Sequence, residues 1–256
     1  MKKNNFIISY NENGHRPVDK TIAFEQKLKD TAKDIKATYG LPLIIMLQEI
    51  VAGHNMKFLN LLRVLYSEYE LILPAGFDYT KHYKSIISVT LVRRDALGSY
   101  KVLKLDSDLP NRMCYIVGEL NGIETHIINS HLVQIQNFRH QADWYIAERK
   151  RLHEQQWNLL HDVLHTNKDA TVIFAGDMQE SKASTNLKKI KEEGYIISGA
   201  SGTKTVRNGF FEEEACIDHI ILSSKARSAL GKETEIIYDN SGLGCYSDHT
   251  LLCLCS

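Results

Sequence analysis

Thr171-Val-Ile-Phe-Ala-Gly-Asp-Met-Gln-Glu-Ser181 is the stretch that decides how this chain is read. Val172, Ile173 and Phe174 run without a polar interruption, which marks a strand buried on both faces. Such a strand belongs in the middle of a sandwich or an α/β sheet. Gly176 is expected to let the backbone turn sharply, so that Asp177 emerges at the strand end, where ligands commonly meet a sheet. On this segment alone, a strand-ending Asx-turn explains Asp177 as well as a functional role does. The flanking sequence has to decide.

Toward the N-terminus, a long helical pattern covers about Gln141–His165, with Leu152, Trp157, Leu160 and Leu164 inside it. Before it, Tyr100–Leu105, Met113–Leu120 and Glu124–Asn129 alternate as strands. Asn121-Gly122 is a two-residue hairpin signal between the last two, and that hairpin delivers Asn129-Ser130-His131. Further back, Phe6–Tyr10 runs into Asn11-Glu12-Asn13-Gly14, a dense turn signal. Asp19–Tyr39 has near-helical spacing and is stopped by Gly40 and Pro42. Leu43–Leu47 is a second apolar strand, ending in Gln48-Glu49. A helix is expected over Asn55–Tyr66, and strands over Glu70–Leu73 and Ser85–Arg93. Toward the C-terminus come a short basic helix at Thr185–Glu193 and strands at Cys216–Leu222 and Ile236–Tyr238. The chain closes with Tyr246-Ser247-Asp248-His249 and a last strand, Thr250–Cys255.

The composition is that of an ordinary soluble globular protein, with 256 residues, 43% hydrophobic and 24% charged. Strands outnumber helices, and there is no repeat, no low-complexity segment and no Pro-rich linker. The expectation is one α+β domain over residues 1–256, with two sheets and outer helices. Lys+Arg and Asp+Glu balance at 31 each, which argues against a strongly basic, sequence-independent nucleic-acid binder. The five cysteines, Cys114, Cys216, Cys245, Cys253 and Cys255, form no CxxC pair and fit a reducing compartment. The apolar run near the N-terminus is too short for a signal peptide, so a cytoplasmic location is expected, with a monomer as the default.

The strand ends share one character. Asn11, Glu49, His131, Asp177 and the Asp248-His249 pair each stand at or near the end of an apolar run, and Asp218 stands near the start of another. Plain turn residues would more often be Gly, Ser or Pro. If these ends meet at one rim, they make a pocket of carboxylates, amides and imidazoles. Oxygen-rich sites suit Mg2+ or Mn2+, and His beside carboxylates suits proton transfer near neutral pH.

In order and rough spacing, Asn11-Glu12-Asn13-Gly14, Leu47-Gln48-Glu49, Ser130-His131, Gly176-Asp177-Met178-Gln179, Ile217-Asp218-His219 and Ser247-Asp248-His249 resemble the endonuclease/exonuclease/phosphatase superfamily. These are metal-dependent phosphoesterases related to deoxyribonuclease I. The central third is similar to 5′-tyrosyl-DNA phosphodiesterases, while Asn129-Ser130-His131-Leu132 equally resembles inositol-phosphate 5-phosphatases. The resemblance implies a four-layer α/β/β/α sandwich, with two mixed sheets face to face and helices outside.

It also implies roles. Glu49 becomes the principal ligand of Mg2+ or Mn2+, and Asp248 a second carboxylate near the metal. Asn13 stands where many relatives carry an Asp that helps hold the metal, which leaves its ligand role open. Asn11 holds a phosphate oxygen or a metal-bound water, and Asp177 orients or deprotonates the attacking water. His249 binds the scissile phosphate, with Asp218 fixing its tautomer, and His131 donates a hydrogen bond to the phosphate or a proton to the leaving oxygen. His219 is read as structural. Gln179 departs from the family's Gly-Asp-x-Asn; its amide is one methylene longer, so it folds back or the pocket is wider.

The expected activity is hydrolysis of a DNA phosphodiester, by a nuclease or an enzyme that clears blocked 5′ ends. Arg139, Arg149, Lys150, Arg151, Lys188, Lys189 and Lys191 are candidates for the basic surface. The alternatives are a phosphatase or phosphodiesterase acting on an inositol phosphate, a lipid-linked or another small phosphate ester, and a non-catalytic binding protein that kept the fold.

Overall fold

The computed structural model describes residues 6–14, 24–82, 85–135, 141–198, 205, 216–231, 235–239 and 247–255. The start of the Asp19–Tyr39 segment, Arg139, Cys245 and Tyr246 lie outside these residues.

In chain order the elements are β1 (Ile7–Asn11), α1 (Phe24–Tyr39), β2 (Ile44–Val51), α2 (Lys57–Leu65), β3 (Tyr69–Ile72) and the short α3 (Tyr79–His82). There follow β4 (Ile86–Arg93), β5 (Leu97–Leu103), β6 (Met113–Leu120), β7 (Ile123–His131) and the long α4 (Asp143–Thr166). The last part holds β8 (Thr171–Asp177), α5 (Thr185–Glu192), β9 (Ile196–Ser198), β10 (Asp218–Leu222), α6 (Ser224–Leu230), β11 (Glu235–Asp239) and β12 (Leu251–Cys255). The strands form two mixed six-stranded sheets, ordered β11-β12-β1-β2-β4-β3 and β5-β6-β7-β8-β10-β9. In each sheet one pair is parallel, β1 with β2 and β7 with β8.

Hydrophobic alternation sets the layers. On β8, Ile173 and Ala175 pack between the sheets, against Ile44, Met46, Ile127 and Ile220. Val172 and Phe174 face the other way, onto Trp157, Leu160 and Leu164 of α4 and Leu187 and Ile190 of α5. On the far sheet, Ile8, Tyr10 and Ile45 cover Leu28 and Ile35 of α1 and Leu59 and Leu62 of α2. The result is the α/β/β/α sandwich expected, with β8 in the interior of its sheet and buried along its whole length.

Strand parity then places the chemistry. Residues 173, 175 and 177 share the inter-sheet face of β8. The same face carries Ile127, Asn129 and His131 on β7, Asp218, Ile220 and Leu222 on β10, and Ile7 and Asn11 on β1. His131 and Asp218 flank Asp177 in register. Parity would send Glu49 to the helical side of β2, but the register shifts between Leu47 and Ile50, and Glu49 takes φ 54°. This bulge re-aims its side chain.

Gly176 does something other than turn the chain. β8 continues through it, paired with Ser130 and His219. Its φ is 144°, and a Cβ there would overlap the Ser130 carbonyl. Glycine is required by the close approach of β7. The hairpin at Asn121-Gly122 has both residues at positive φ, 53° and 77°, as a two-residue primed turn demands. The elements absent from the sequence reading, α3, β9 and α6, are short and carry little periodicity.

Candidate active site

Asn11, Glu49, His131, Asp177, Asp218 and His249 meet at one rim between the sheets. Asp177 is fully buried and sits at their centre. Its Oδ2 accepts hydrogen bonds from Asn11 Nδ2 at 3.0 Å and Gln179 Nε2 at 2.7 Å. His131 Nε2 lies 3.7 Å from the same oxygen, and His249 Nε2 3.8 Å from it. Asn11 Nδ2 also reaches Glu49 Oε1 at 3.3 Å, and His131 Nε2 stands 3.6 Å from that oxygen. Two carboxylates are thus bridged by one amide and one imidazole.

The strand ends are held by three local turns. Asn13 N–H donates to Asn11 Oδ1 at 2.8 Å, Gln179 N–H to Asp177 Oδ1 at 3.1 Å, and His249 N–H to Ser247 Oγ at 3.1 Å. Ser247 in turn donates to the Asn11 carbonyl at 2.6 Å. These are Asx- and Ser-turns. The turn reading of Asn11 and Asp177 therefore holds alongside the site reading, because different oxygens serve each. Asp177 closes its turn with Oδ1 and faces the site with Oδ2.

Asn13, Glu49 and Gln179 all adopt left-handed backbone, with φ of 45°, 54° and 56°. For residues other than glycine this costs about 1–2 kcal/mol each. Gln179 resolves the choice left open by its length. Its amide folds back onto Asp177, at 2.7 Å from Oδ2.

The two imidazoles differ in charge. Burial opposes a charge on His249, but Asp218 overrides it, accepting from Nδ1 at 2.9 Å, with Asp177 and Asp248 adding to the effect; the imidazole rises to about 10. Burial drives His131 well below its ordinary range, and repulsion from Arg112, His249 and Arg149 adds to this. His131 is neutral and His249 is an imidazolium. Burial, followed by the charges of Asp218 and Glu49, pushes the Asp177 carboxyl up to about 7.

Asp248 and Asn13 lie beside this group. Asp248 Oδ1 is 3.8 Å from His249 Nε2, the same distance as Asp177 Oδ2. Asn13 contributes its backbone N–H to the turn at Asn11. His219 points to the helical side and bonds the Glu180 carbonyl at 2.8 Å.

Three groups were not singled out from sequence. Arg112 acts electrostatically on Glu49, Asp177 and His131, and its guanidinium donates to the Leu132 carbonyl at 3.4 Å. Ser247 closes the turn described above. Glu12 is buried against Lys27, with Oε2 to Nζ at 4.0 Å; burial raises the carboxyl to about 7 and lowers the amine. The Ser-Asp-His run pointed to Ser247, whereas nothing in the local sequence distinguishes Arg112 or Lys27 from surface residues.

Among the described residues, two sets of groups have ligand atoms within 4.8 Å of one another: Glu49, His131 and Asp177, and Asp177, Asp218 and His249. The first set fits a divalent cation. It offers carboxylate oxygens and a neutral imidazole, and the crowding of carboxylates that raises Asp177 is what a cation relieves. In the second set, His249 has its Nδ1 taken by Asp218 and carries a positive charge.

No family model matches the sequence, and no curated protein does. Solved structures do. TDP2 from D. rerio, complexed with a single-strand DNA product, is 16% identical with a TM-score of 0.66, covering 98% of each chain. The 3′ phosphatase NExo from Neisseria, bound to a product DNA hairpin, is 16% identical with a TM-score of 0.65, also covering 98% of each chain. An endonuclease/exonuclease/phosphatase family protein from Bacteroides thetaiotaomicron is 16% identical with a TM-score of 0.61, covering 98% of this chain and 96% of that one. Two mixed sheets, their outer helices and these superpositions give the chain the endonuclease/exonuclease/phosphatase fold.

Proposed function

We propose that residues 1–256 form one catalytic domain, a metal-dependent phosphoesterase that hydrolyses phosphodiester bonds, with DNA as the substrate. The observation that carries this reading is the convergence on Asp177 Oδ2 of two amides and two imidazoles of opposite charge state. Two structures with this fold hold DNA products, which supports the choice of substrate. So do Arg112 and Arg149, whose charges act on the site.

Glu49 would hold a divalent cation, Mg2+ or Mn2+, with Asp177 and His131 in reach of the same point. Bound there, the cation would neutralise charge developing on the phosphoryl group. Asp177 orients the attacking water and takes its proton as the new P–O bond forms. Hydrogen bonds to Oδ2 from Asn11 and Gln179 hold the carboxylate in the position that this task needs. His249 donates from Nε2 to a non-bridging phosphoryl oxygen, and its positive charge opposes the one that builds there. Asp218 holds the imidazolium in place through Nδ1. His131 is neutral and keeps one N–H and one lone pair, so it serves the phosphate or the cation without adding charge. The P–O bond opposite the attacking water breaks, and the leaving oxygen is protonated from solvent. Asn11 keeps Glu49 and Asp177 together, and Asp248 stands beside His249 as a further carboxylate.

A substrate panel with and without Mg2+ or Mn2+ tests the proposal: supercoiled plasmid, a 5′-phosphotyrosyl oligonucleotide and an inositol polyphosphate. Chelator-sensitive cleavage of either DNA substrate is expected. Turnover of the inositol phosphate alone would move the protein to small phosphate esters. No turnover on any substrate with either metal would refute catalysis.

A further inference from the structure

Behind the catalytic rim, on the side away from the pocket, a second polar cluster touches both site loops. We propose that Glu180 and His153 form a positioning pair that locks the Asp177–Glu180 loop to the His131–Val133 loop and so fixes the aim of Asp177. This rests on the reading of Asp177 as the carboxylate that handles the attacking water.

His153 is 3% exposed on α4 and bonds at both ring nitrogens. Nδ1 donates to the Val133 carbonyl at 2.6 Å, two residues beyond His131. Nε2 lies 2.7 Å from Glu180 Oε1, three residues beyond Asp177. The indole Nε1 of Trp157 is 3.1 Å from the same Nε2. One nitrogen cannot donate to a carboxylate and also accept from an indole. The shorter, charge-assisted contact prevails, and Nε2 donates to Glu180.

Glu180 is ionised to receive it. Burial opposes the charge, but hydrogen bonds from His153, Ser184 and Asn186 outweigh burial and hold the carboxyl below its ordinary value. Asn186 Nδ2 reaches Oε1 at 3.0 Å. The backbone is held as well, since His219 Nε2 donates to the Glu180 carbonyl at 2.8 Å. On the other loop, Val133 N–H donates to Gln156 Oε1 at 2.8 Å, one turn of α4 after His153.

The loop needs such a hold because Gln179 sits at φ 56°, a conformation that persists only where the surroundings over-determine it. Gln179 gives Asp177 a bond to each carboxylate oxygen, from its backbone N–H and from its amide. When residue 180 loses its anchor, residue 179 relaxes toward right-handed backbone, and both bonds to Asp177 loosen. Glu180 touches no reacting atom and acts through Gln179.

The test uses the full-length protein with E180A, E180Q, H153Q and the E180A/H153Q double variant. Amide hydrogen exchange of the metal-free protein reads the clamp without reference to activity. E180A should speed exchange at Met178 and Gln179 at least tenfold, with Ile220 and Ile221 on β10 unchanged. On a substrate that the wild type turns over, E180A should lower kcat about 10- to 100-fold with KM within threefold, since a misplaced orienting group costs rate more than binding. E180Q keeps an accepting oxygen and should recover most of that loss. The double variant should be no slower than E180A. Unchanged exchange in E180A would overturn the clamp whether or not the protein is an enzyme. Faster exchange with an unchanged kcat would overturn its link to Asp177.

Discussion

The two walls of the site are built from the same residue types and behave oppositely. On one, Glu49 and His131 face Asp177. On the other, Asp218 and His249 do. The difference lies in which imidazole nitrogen meets a carboxylate. Asp218 accepts from His249 Nδ1, the nitrogen away from Asp177, so Nε2 carries a proton toward the pocket. His131 Nδ1 has no hydrogen-bond partner among the described residues, and Arg112 stands near the ring. A buried imidazole with a carboxylate behind it is a fixed cation. The same imidazole beside an arginine is a neutral ligand. In the proposed reaction the first wall would hold the metal and the second would recognise the phosphate.

Asp177 serves both walls, so breaking it should have the largest effect. D177N is expected to lower kcat at least about 1,000-fold. The same change should stabilise the metal-free protein. In the folded state the Asp177 carboxyl is raised to about 7, so its charge is a liability at higher pH. The folded form binds more protons than the unfolded one between the ordinary carboxylate value and 7, so stability falls as pH rises through that window. Replacing the carboxylate should therefore add about 1–3 kcal/mol at pH 8, with the gain vanishing toward pH 4. Thermal melts across that range, with chelator present, check both the sign and the window.

D218N tests the second wall. It removes the anion that raises His249 to about 10. The imidazolium should then be lost near neutral pH, and kcat at pH 8 should fall about 100-fold. The alkaline limb of the pH–rate profile should move downward by at least two units, whereas an unmoved limb would show that the charge on His249 is not used. The converse prediction concerns metal. E49Q should weaken Mn2+ binding about 10- to 100-fold by calorimetry, and H249Q should leave it within about threefold. Equal losses in both would erase the distinction between the walls. The smallest effect is expected from Q179N, whose shorter amide forfeits the 2.7 Å bond to Asp177. A change of about three- to tenfold in kcat follows from one such bond.

Much of this was legible in the chain. Uninterrupted apolar runs gave the buried strands, and the polar groups at their ends marked Asn11, Glu49, His131, Asp177 and Asp218. The Asn-Gly pair gave the hairpin. The sequence misled where one residue serves tertiary contact. Gly176 looked like a turn, yet it answers to the Ser130 backbone on a strand some forty residues away in the chain. Glu49 reads as a site residue at the end of a strand, but β2 runs on to Val51, and the bulge turns its carboxylate inward. Arg112 and His153 were invisible for another reason. Each follows a local pattern that suits a surface residue, and only the packing of β6 and α4 against β7 and β8 brings them to the site loops. No spacing rule along a single segment reports that.

Gln48 and Asn129 lie beneath the site, one on each sheet, joined by Gln48 Nε2 donating to Asn129 Oδ1 at 2.8 Å. Asn129 also donates to the carbonyls of Leu47 and Val89, across the inter-sheet space. The apolar packing around them is strong but indifferent to direction, and it would tolerate one sheet sliding over the other by a fraction of a residue. The proposed hydrolysis would not, because Asn11 and Glu49 belong to one sheet and His131, Asp177 and Asp218 to the other. The amide pair acts as an alignment pin. A Leu pair in its place would fill the volume and keep the fold while letting the two halves of the active centre drift out of true.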